Sequence, residues 1–171
     1  MKLVMNEKKT LDLMTNIRFT RKKHGIITTQ EIGPNKIVNG AGILLAQLCQ
    51  NEGIAGLTYI GVGTGNPAWP SPPPDPLVTQ DYLLAEVLRK PISVRRYLTE
   101  TFVTSVTATR IIEMEVTFME TEANVAWREI GLFGDAATAV VDTGTAFSIR
   151  NFDVKNKEDD EQVTIAWRLS F

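Results

Sequence analysis

The C-terminal half of the chain alternates apolar and polar residues over long stretches, and this alternation constrains the fold more than any other feature. Every second residue from Ile112 to Phe118 is apolar, and the residues between them are charged or hydroxylated. The same alternation returns between Val163 and Phe171, at the end of the chain. A period of two places one set of side chains on each face of a β-strand. The sequence therefore predicts antiparallel strands with one buried face and one solvated face.

Further strands are predicted by their composition, and helices by the spacing of apolar residues. Strand-forming residues concentrate in 57–62, 125–133 and 145–151. Apolar residues at helical spacing predict one helix over 35–50 and a shorter one over 79–88. The chain is therefore predicted to be mainly β, an antiparallel β-sandwich with one or two short helices and an extended N-terminal arm.

Basic residues are concentrated near the N-terminus, although the whole chain carries a net charge of −2. Residues 1–36 contain eight Lys or Arg and three Asp or Glu, a net charge of +5, which leaves −7 for the rest. Apolar pairs in this region are short and separated by charges, which favours an extended arm with one or two strands. We therefore divide the chain into a basic arm, residues 1–33, and a domain of one helix and a β-sandwich, residues 34–171.

Two features favour contact with a partner protein. The basic run Arg21, Lys22 and Lys23 suits an acidic protein surface, although a solvated basic turn explains it equally well. Residues 67–76 contain six prolines, which predict a stiff, exposed loop. Trp69 on this loop is a candidate interface anchor. The alternative is that Trp69 folds back as a lid on the core.

Residues that commonly perform catalysis are few in this sequence or poorly placed for it. The single histidine, His24, lies in the basic arm, and the single cysteine, Cys49, is predicted to be a small buried hydrophobe. Glu113 and Glu115 alternate with core residues and are predicted to face solvent. We expect no enzymatic activity, no cofactor and no metal site, although a glycosidase carboxylate pair across a cleft stays open.

Nucleic-acid and membrane binding are also not expected. The basic run has no interleaved aromatic residues for base stacking, and the rest of the chain is acidic. No stretch approaches the roughly 18 consecutive apolar residues that a membrane-spanning helix requires. Gly61, Gly63 and Gly65 follow a predicted strand, but a proline-rich segment comes next instead of the helix that a phosphate-binding loop needs.

Three short motifs occur in a characteristic order: the glycine series within Tyr59–Gly65, the segment Leu83–Lys90, and Arg-Glu-Ile-Gly-Leu-Phe within Trp127–Phe133. Over residues 35–171 this series resembles bacteriophage virion proteins of the tail-collar fibre and tail fibre family. The resemblance implies a structural component of the tail, collar or baseplate region of a virion assembled in the host cytoplasm. Its expected partners are other virion proteins and further copies of the chain, as a homo-oligomer. A capsid-decorating or head-fibre protein and a host-glycan-binding adsorption module are the alternatives.

Glu129 lies in the most specific of these motifs, on a strand that carries large apolar residues on both faces. The alternation predicts Trp127, Glu129 and Phe133 on one side of the strand, which must then be central in a sheet or covered by a partner. A buried carboxylate needs a donor, for which Arg89 and Arg110 are the candidates, or else it faces a subunit boundary. Glu129 is therefore a candidate partner-binding residue, and a position at the rim of the core is equally compatible.

Overall fold

The structure, a computed structural model, describes residues 14–171 as two antiparallel β-sheets packed face to face, with one α-helix. The elements in chain order are β1 (Met14–Lys23), β2 (Ile26–Glu31), β3 (Lys36–Ile37), α1 (Asn39–Cys49), β4 (Leu57–Gly63), β5 (Glu86–Pro91), β6 (Val94–Leu98), β7 (Thr104–Ser105), β8 (Ile111–Phe118), β9 (Ala126–Gly134), β10 (Thr145–Asn156) and β11 (Glu161–Ser170). The six-stranded sheet has the order β2-β1-β11-β8-β6-β7, and the five-stranded sheet has the order β3-β10-β9-β4-β5. The predicted mainly β, antiparallel sandwich is confirmed.

Aromatic side chains from the two sheets meet at the centre of the core. Phe19 of β1 and Phe118 of β8 pack against Trp127 of β9, with ring centroids 6.2 and 5.1 Å apart. Phe152 of β10 lies edge-on to Phe19 at 5.5 Å. The indole N–H of Trp127 donates to the carbonyl of Ala123 at 2.8 Å, so this buried polar group is satisfied. The alternating strands thus bury their apolar sets against each other.

The last strand lies inside its sheet, between β1 and β8. Its alternate residues from Val163 to Leu169 are fully buried, as the sequence pattern predicts. Phe171, which follows the strand, is 39% exposed and is not a core residue, contrary to the prediction. Strand β11 is anchored in the sheet on both sides: eight of its residues pair with β8, and it also pairs with β1.

The boundary at residue 33 is wrong for the part of the predicted arm that the structure describes. Strand β1 pairs with β11 along its whole length, from Met14 to Lys23, and β2 forms a hairpin with it. Ile17 and Phe19 are fully buried in the common core. The one or two strands predicted here are present, but they belong to the sandwich because β11 needs a paired neighbour on this side. Residues 1–13 of the predicted arm lie outside the described residues.

The first predicted helix is confirmed in shortened form, and the second is wrong. Lys36–Ile37 pairs with β10 as β3, so α1 begins only at Asn39. In the region predicted as the second helix, Glu86–Pro91 pairs with β4 as a strand. Pairing in the sheet overrides the local spacing of its leucines and valine. Within residues 14–171 no helix is long and apolar enough to cross a membrane.

Three small residues of α1 have different surroundings. A Cβ on Gly40 would collide with the carbonyl oxygen of Ala146, so this glycine allows the helix to approach β10 closely. Gly42 faces open space and is not required for packing. Cys49 is exposed and not buried, because it lies at the end of the helix, away from the face that carries Leu44.

Glu113 is buried, although the alternation predicts it on a solvated face. Its carboxylate is held by three arginines of neighbouring strands: Arg18 at 3.4 Å, Arg96 at 2.7 Å and Arg168 at 2.8 Å. Burial acts to raise the pKa of Glu113, but the hydrogen bonds from Arg96 and Arg168 and the charge of Arg18 hold that pKa below its ordinary value. The outer face of the six-stranded sheet is therefore covered at its middle by long arginine side chains.

Replacing Phe19 with alanine should destabilise the fold by about 3–5 kcal/mol, because it leaves a cavity where the two sheets pack together. The neighbouring Thr20→Ala change, on the outer face, is the matched control and should stay within about 0.5 kcal/mol of the wild type. Urea unfolding followed by tryptophan fluorescence measures both. An F19A protein as stable as the wild type would mean that β1 is not part of the core sheet in solution.

Candidate functional site

The three motifs that lie far apart in the sequence meet on adjacent strands of the five-stranded sheet. Strand β4 lies between β9 and β5, and its register places Gly63 opposite Glu129 of β9 and Glu86 of β5. Gly61 lies opposite Arg89 of β5. We call this assembly the motif cluster, made of residues 59–65, 83–90 and 127–133.

Glu129 lies at the centre of the motif cluster, with its side chain fully buried. One carboxylate oxygen, Oε1, accepts hydrogen bonds from the backbone N–H groups of Gly65 at 3.1 Å and Ala85 at 2.7 Å. The other, Oε2, accepts from the N–H of Leu84 at 2.9 Å. The expectation that Arg89 or Arg110 supplies the donor is therefore wrong: backbone amides do so.

Burial raises the pKa of Glu129, and the nearby charge of Glu86 adds to this effect, while the three backbone hydrogen bonds oppose it. A carboxyl whose pKa is higher in the folded state than in the unfolded chain binds its proton more tightly when folded. Its contribution to the free energy of unfolding therefore decreases as pH rises from the ordinary value of 4.5 through the raised pKa.

Glu86 and Arg89 form a second buried contact of the cluster, with side chains 1% and 0% exposed. The guanidinium donates to both carboxylate oxygens, from Nε at 2.7 Å and from Nη2 at 2.6 Å, which is a bidentate pair. Its Nη1 donates to the carbonyl of Thr143 at 2.5 Å, and its Cζ lies 4.3 Å from the ring centroid of Phe133. Arg110, in contrast, pairs with the exposed carboxylate of Glu100, in the loop between β6 and β7.

The glycine series leaves room for these groups. A Cβ on Gly63 would lie 2.5 Å from Glu129 Oε1 and 2.6 Å from the carbonyl oxygen of Ala85. A Cβ on Gly61 would collide with the carboxylate of Glu86, and one on Gly65 would collide with the indole ring of Trp69. The spacing of two residues puts Gly61 and Gly63 on one face of β4. The series is therefore a requirement of packing, and no phosphate-binding loop is formed.

Trp69 folds back onto the chain. Its ring covers Gly65, the residue that donates to Glu129, and its side chain is half-buried. The proline-rich loop itself is mostly exposed, as predicted. Of the two interpretations of Trp69, the structure agrees with the folded-back one, although the ring covers the glycine turn and is not part of the main core.

The basic run lies beside an acidic turn of the same chain. Arg21 bonds to Glu161 at 2.9 Å, and Lys23 bonds to Asp160 at 3.0 Å and to Glu158. The hydrogen bonds that Lys23 donates to Glu158 and Asp160 raise the pKa of its ammonium group. The acidic surface predicted as a docking partner for Arg21 and Lys23 is therefore supplied within the chain, by the β10–β11 turn. Lys22 is exposed.

Strand β9 is central in its sheet, as its two apolar faces predict. Trp127 nevertheless points into the core between the sheets, where Ile130 also lies, whereas Phe133 belongs to the cluster on the opposite side. The prediction that Trp127 and Phe133 share a side is wrong. The pairing of β9 with β10 shifts register between Asn151 and Lys155, and this irregularity interrupts the alternation.

The motif cluster is suited to holding backbone segments together. Glu129 has no exposed surface, and the donors of Arg89 are directed to Glu86 and Thr143. Among residues 14–171, no group of three or more His, Cys, Asp or Glu is arranged to hold a metal ion. The arrangement positions chain segments and exposes no reactive group at this place.

One feature that the sequence did not indicate is an apolar cleft of about 390 Å³ between α1 and strands β6 and β8. Its walls include Leu44, Leu48 and Tyr97, and Glu113 is the only carboxylate among them. Within the described part of the chain, this cleft therefore offers no second carboxylate for a glycosidase pair, and Glu113 itself is held by three arginines. The helical spacing of the leucines in α1 indicates a helix with an apolar face, but it does not show that part of this face lines an open cleft.

Replacing Glu129 with alanine should lower the free energy of unfolding by about 2–4 kcal/mol, because three backbone donors lose their acceptor. Glu52→Ala, at an exposed position, is the matched control and should stay within about 0.5 kcal/mol. Urea unfolding measures stability, and amide hydrogen exchange should show faster exchange at Gly65, Leu84 and Ala85. Unchanged exchange at these amides would contradict the role of the carboxylate.

Two glycine-to-alanine changes should have opposite signs. Gly63→Ala should destabilise the fold by about 1–3 kcal/mol, because the added methyl group overlaps Glu129 and Ala85. Gly42→Ala, on the open face of α1, should stabilise it by up to about 1 kcal/mol. Thermal unfolding followed by circular dichroism compares the two proteins. A G63A protein as stable as G42A would contradict the packing role of the glycine series.

No family model matches the chain, and a search of curated proteins finds no match. The functional proposal below therefore depends on the motifs and on the geometry of the chain itself.

Proposed function

We propose that the chain is a structural component of a bacteriophage virion, in the tail, collar or baseplate region, that assembles with itself and with neighbouring virion proteins. The observation that carries this proposal is the convergence of the three motifs of the resemblance on Glu129. Motifs that meet around a buried carboxylate and a buried ion pair are requirements of a rigid scaffold. Such a scaffold suits a protein whose work is done through its surface shape.

A structural role also fits the way in which the charged side chains are used. Glu86 is paired with Arg89, Glu113 with three arginines, and Arg21 with Glu161, all within the chain. Groups engaged in this way stabilise a sandwich and do not present a reactive centre. We accordingly propose that the protein is not an enzyme and needs no cofactor.

The alternatives differ in where the chain would be found. A capsid-decorating or head-fibre protein would use the same scaffold on the head of the particle. A host-glycan-binding adsorption module would need an exposed aromatic platform, and the folded-back ring of Trp69 does not provide one. Exposed apolar residues near the proline-rich loop, such as Leu77 and Tyr82, are better suited to a protein partner.

Virions purified from a strain that carries the gene in its natural context provide the test. Quantitative mass spectrometry should find the chain at a fixed copy number per particle, and immunogold labelling should place it on the tail, collar or baseplate. Labelling on the head would instead support the decorating alternative. The absence of the chain from purified particles would overturn the proposal. An array of cell-wall glycans, probed with the purified protein, tests the adsorption alternative separately.

A further inference from the structure

The apolar cleft between α1 and strands β6 and β8 has the size and the walls of a small-molecule site. Its volume of about 390 Å³ lies within the range of roughly 300–1,000 Å³ that is usual for ligand pockets. Leu44, Met114 and Phe147 of its walls are buried, so the core holds them in place. Leu48 and Tyr97, also in the walls, are 51% and 42% exposed. The cleft is therefore a preformed apolar space that is open to solvent.

Strand β6 carries polar groups on the side where its neighbour β8 carries apolar ones. The register places Arg95 opposite Met114 and Tyr97 opposite Ile112. Residues directly opposite each other have their side chains on the same face of a sheet, and Met114 and Ile112 pack in the core between the sheets. An arginine is seldom found at such an inward position. The cleft explains it, because Arg95 and Tyr97 both line this open space instead of the closed core.

The guanidinium of Arg95 is held in place, but no carboxylate in the described part of the chain pairs with it. Its Nη2 donates to the carbonyl of Leu57 at 2.8 Å, and its Nη1 donates to the carbonyl of Ile92 at 3.3 Å. Leu57 begins strand β4 of the other sheet and also lines the cleft, so these bonds fix the guanidinium at its wall. The adjacent Arg96 is instead paired with Glu113. Because carbonyl groups orient a cation without cancelling its charge, Arg95 offers a fixed positive charge to an anion in the cleft.

We propose that this cleft binds one unbranched apolar chain that ends in a carboxylate, the chemistry of a medium-chain fatty acid. The planar guanidinium of Arg95 matches a single carboxylate, and the phenol of Tyr97, on the same face of β6, is a further donor. The apolar tail then lies between the leucines of α1 and Ile112 of β8. Glu113, the one acidic side chain in the walls, is balanced by three arginines and so does not oppose an anionic ligand. This site goes beyond the proposed virion role of the chain.

Isothermal titration calorimetry of the full chain with dodecanoate, below the micelle concentration of this fatty acid, tests the site. One molecule should bind per chain, with a dissociation constant in roughly the micromolar range. Dodecyltrimethylammonium has the same tail and the opposite charge, and it should bind at least about tenfold more weakly. Arg95→Met should weaken dodecanoate binding by about tenfold or more, because a charge-assisted hydrogen bond is lost. Arg95→Lys, which keeps the charge, should recover part of the affinity.

Two further variants separate the role of the cleft from a general effect of charge. Arg128→Met is the matched control, because Arg128 lies on β9, does not line the cleft and likewise has no carboxylate partner in the described part of the chain. This variant should bind dodecanoate like the wild type. Leu48→Glu places a negative charge at an exposed position of the wall, and it should weaken binding by about tenfold or more. Circular dichroism verifies that every variant is folded.

Amide chemical shifts locate the ligand independently of any variant. The shifts of Leu44, Leu48 and Ile112 should change during the titration, while those of residues 26–31, at the far edge of the six-stranded sheet, should not. No binding at about 1 mM dodecanoate would overturn the proposal, as it would if the cleft were filled by a peptide instead. Equal binding of the ammonium compound, or wild-type affinity in the Arg95→Met protein, would also overturn it. These outcomes are independent of whether the chain is found in virions.

Discussion

The buried carboxylate of Glu129 is the interaction on which the outer side of the five-stranded sheet depends. It accepts from Gly65 at the beginning of the long segment between β4 and β5, and from Leu84 and Ala85 at its end. One side chain on the central strand therefore closes the whole proline-rich segment. A segment with neither helix nor strand satisfies only some of its amides through its own turns, and unpaired buried amides are costly. The hydrogen bonds to one carboxylate satisfy three such amides, and they offset the unfavourable desolvation of that carboxylate.

Strand pairing also brings the basic and acidic segments of the sequence together in the fold. The basic strand β1 lies beside the acidic turn between β10 and β11 because β1 pairs with β11 from end to end. Arg21 and Lys23 meet Glu161 and Asp160 there. A charge split that suggests a docking arm in the sequence thus becomes an intramolecular contact. Charge distribution along a chain identifies complementary segments, but only the sheet pairing shows that both belong to one molecule.

Sequence reasoning recovered what depends on local periodicity and missed what depends on pairing between distant strands. The alternation from Val163 to Leu169 predicts a fully buried face, because the position of a residue along a strand decides which face its side chain lies on. The apolar residues before Pro91 fit both a helix and a strand, and only the pairing with β4 decides between them. Glu113 shows the same limit, since its burial depends on arginines of three other strands. For Glu129, the sequence indicates a buried carboxylate, but its backbone donors follow from the fold.

Residues 14–31 form two paired strands and not an extended arm, which changes what this region can contribute to a contact with another protein. A flexible arm must lose conformational entropy when it binds a neighbour, and this loss weakens the contact. Strand β2 is instead held by β1, whose Ile17 and Phe19 are fixed in the core. An edge carried on a buried strand is already ordered and oriented before any partner arrives. The core residues of β1 therefore serve the surface as well as the interior, because they hold the exposed strand β2 in a fixed orientation.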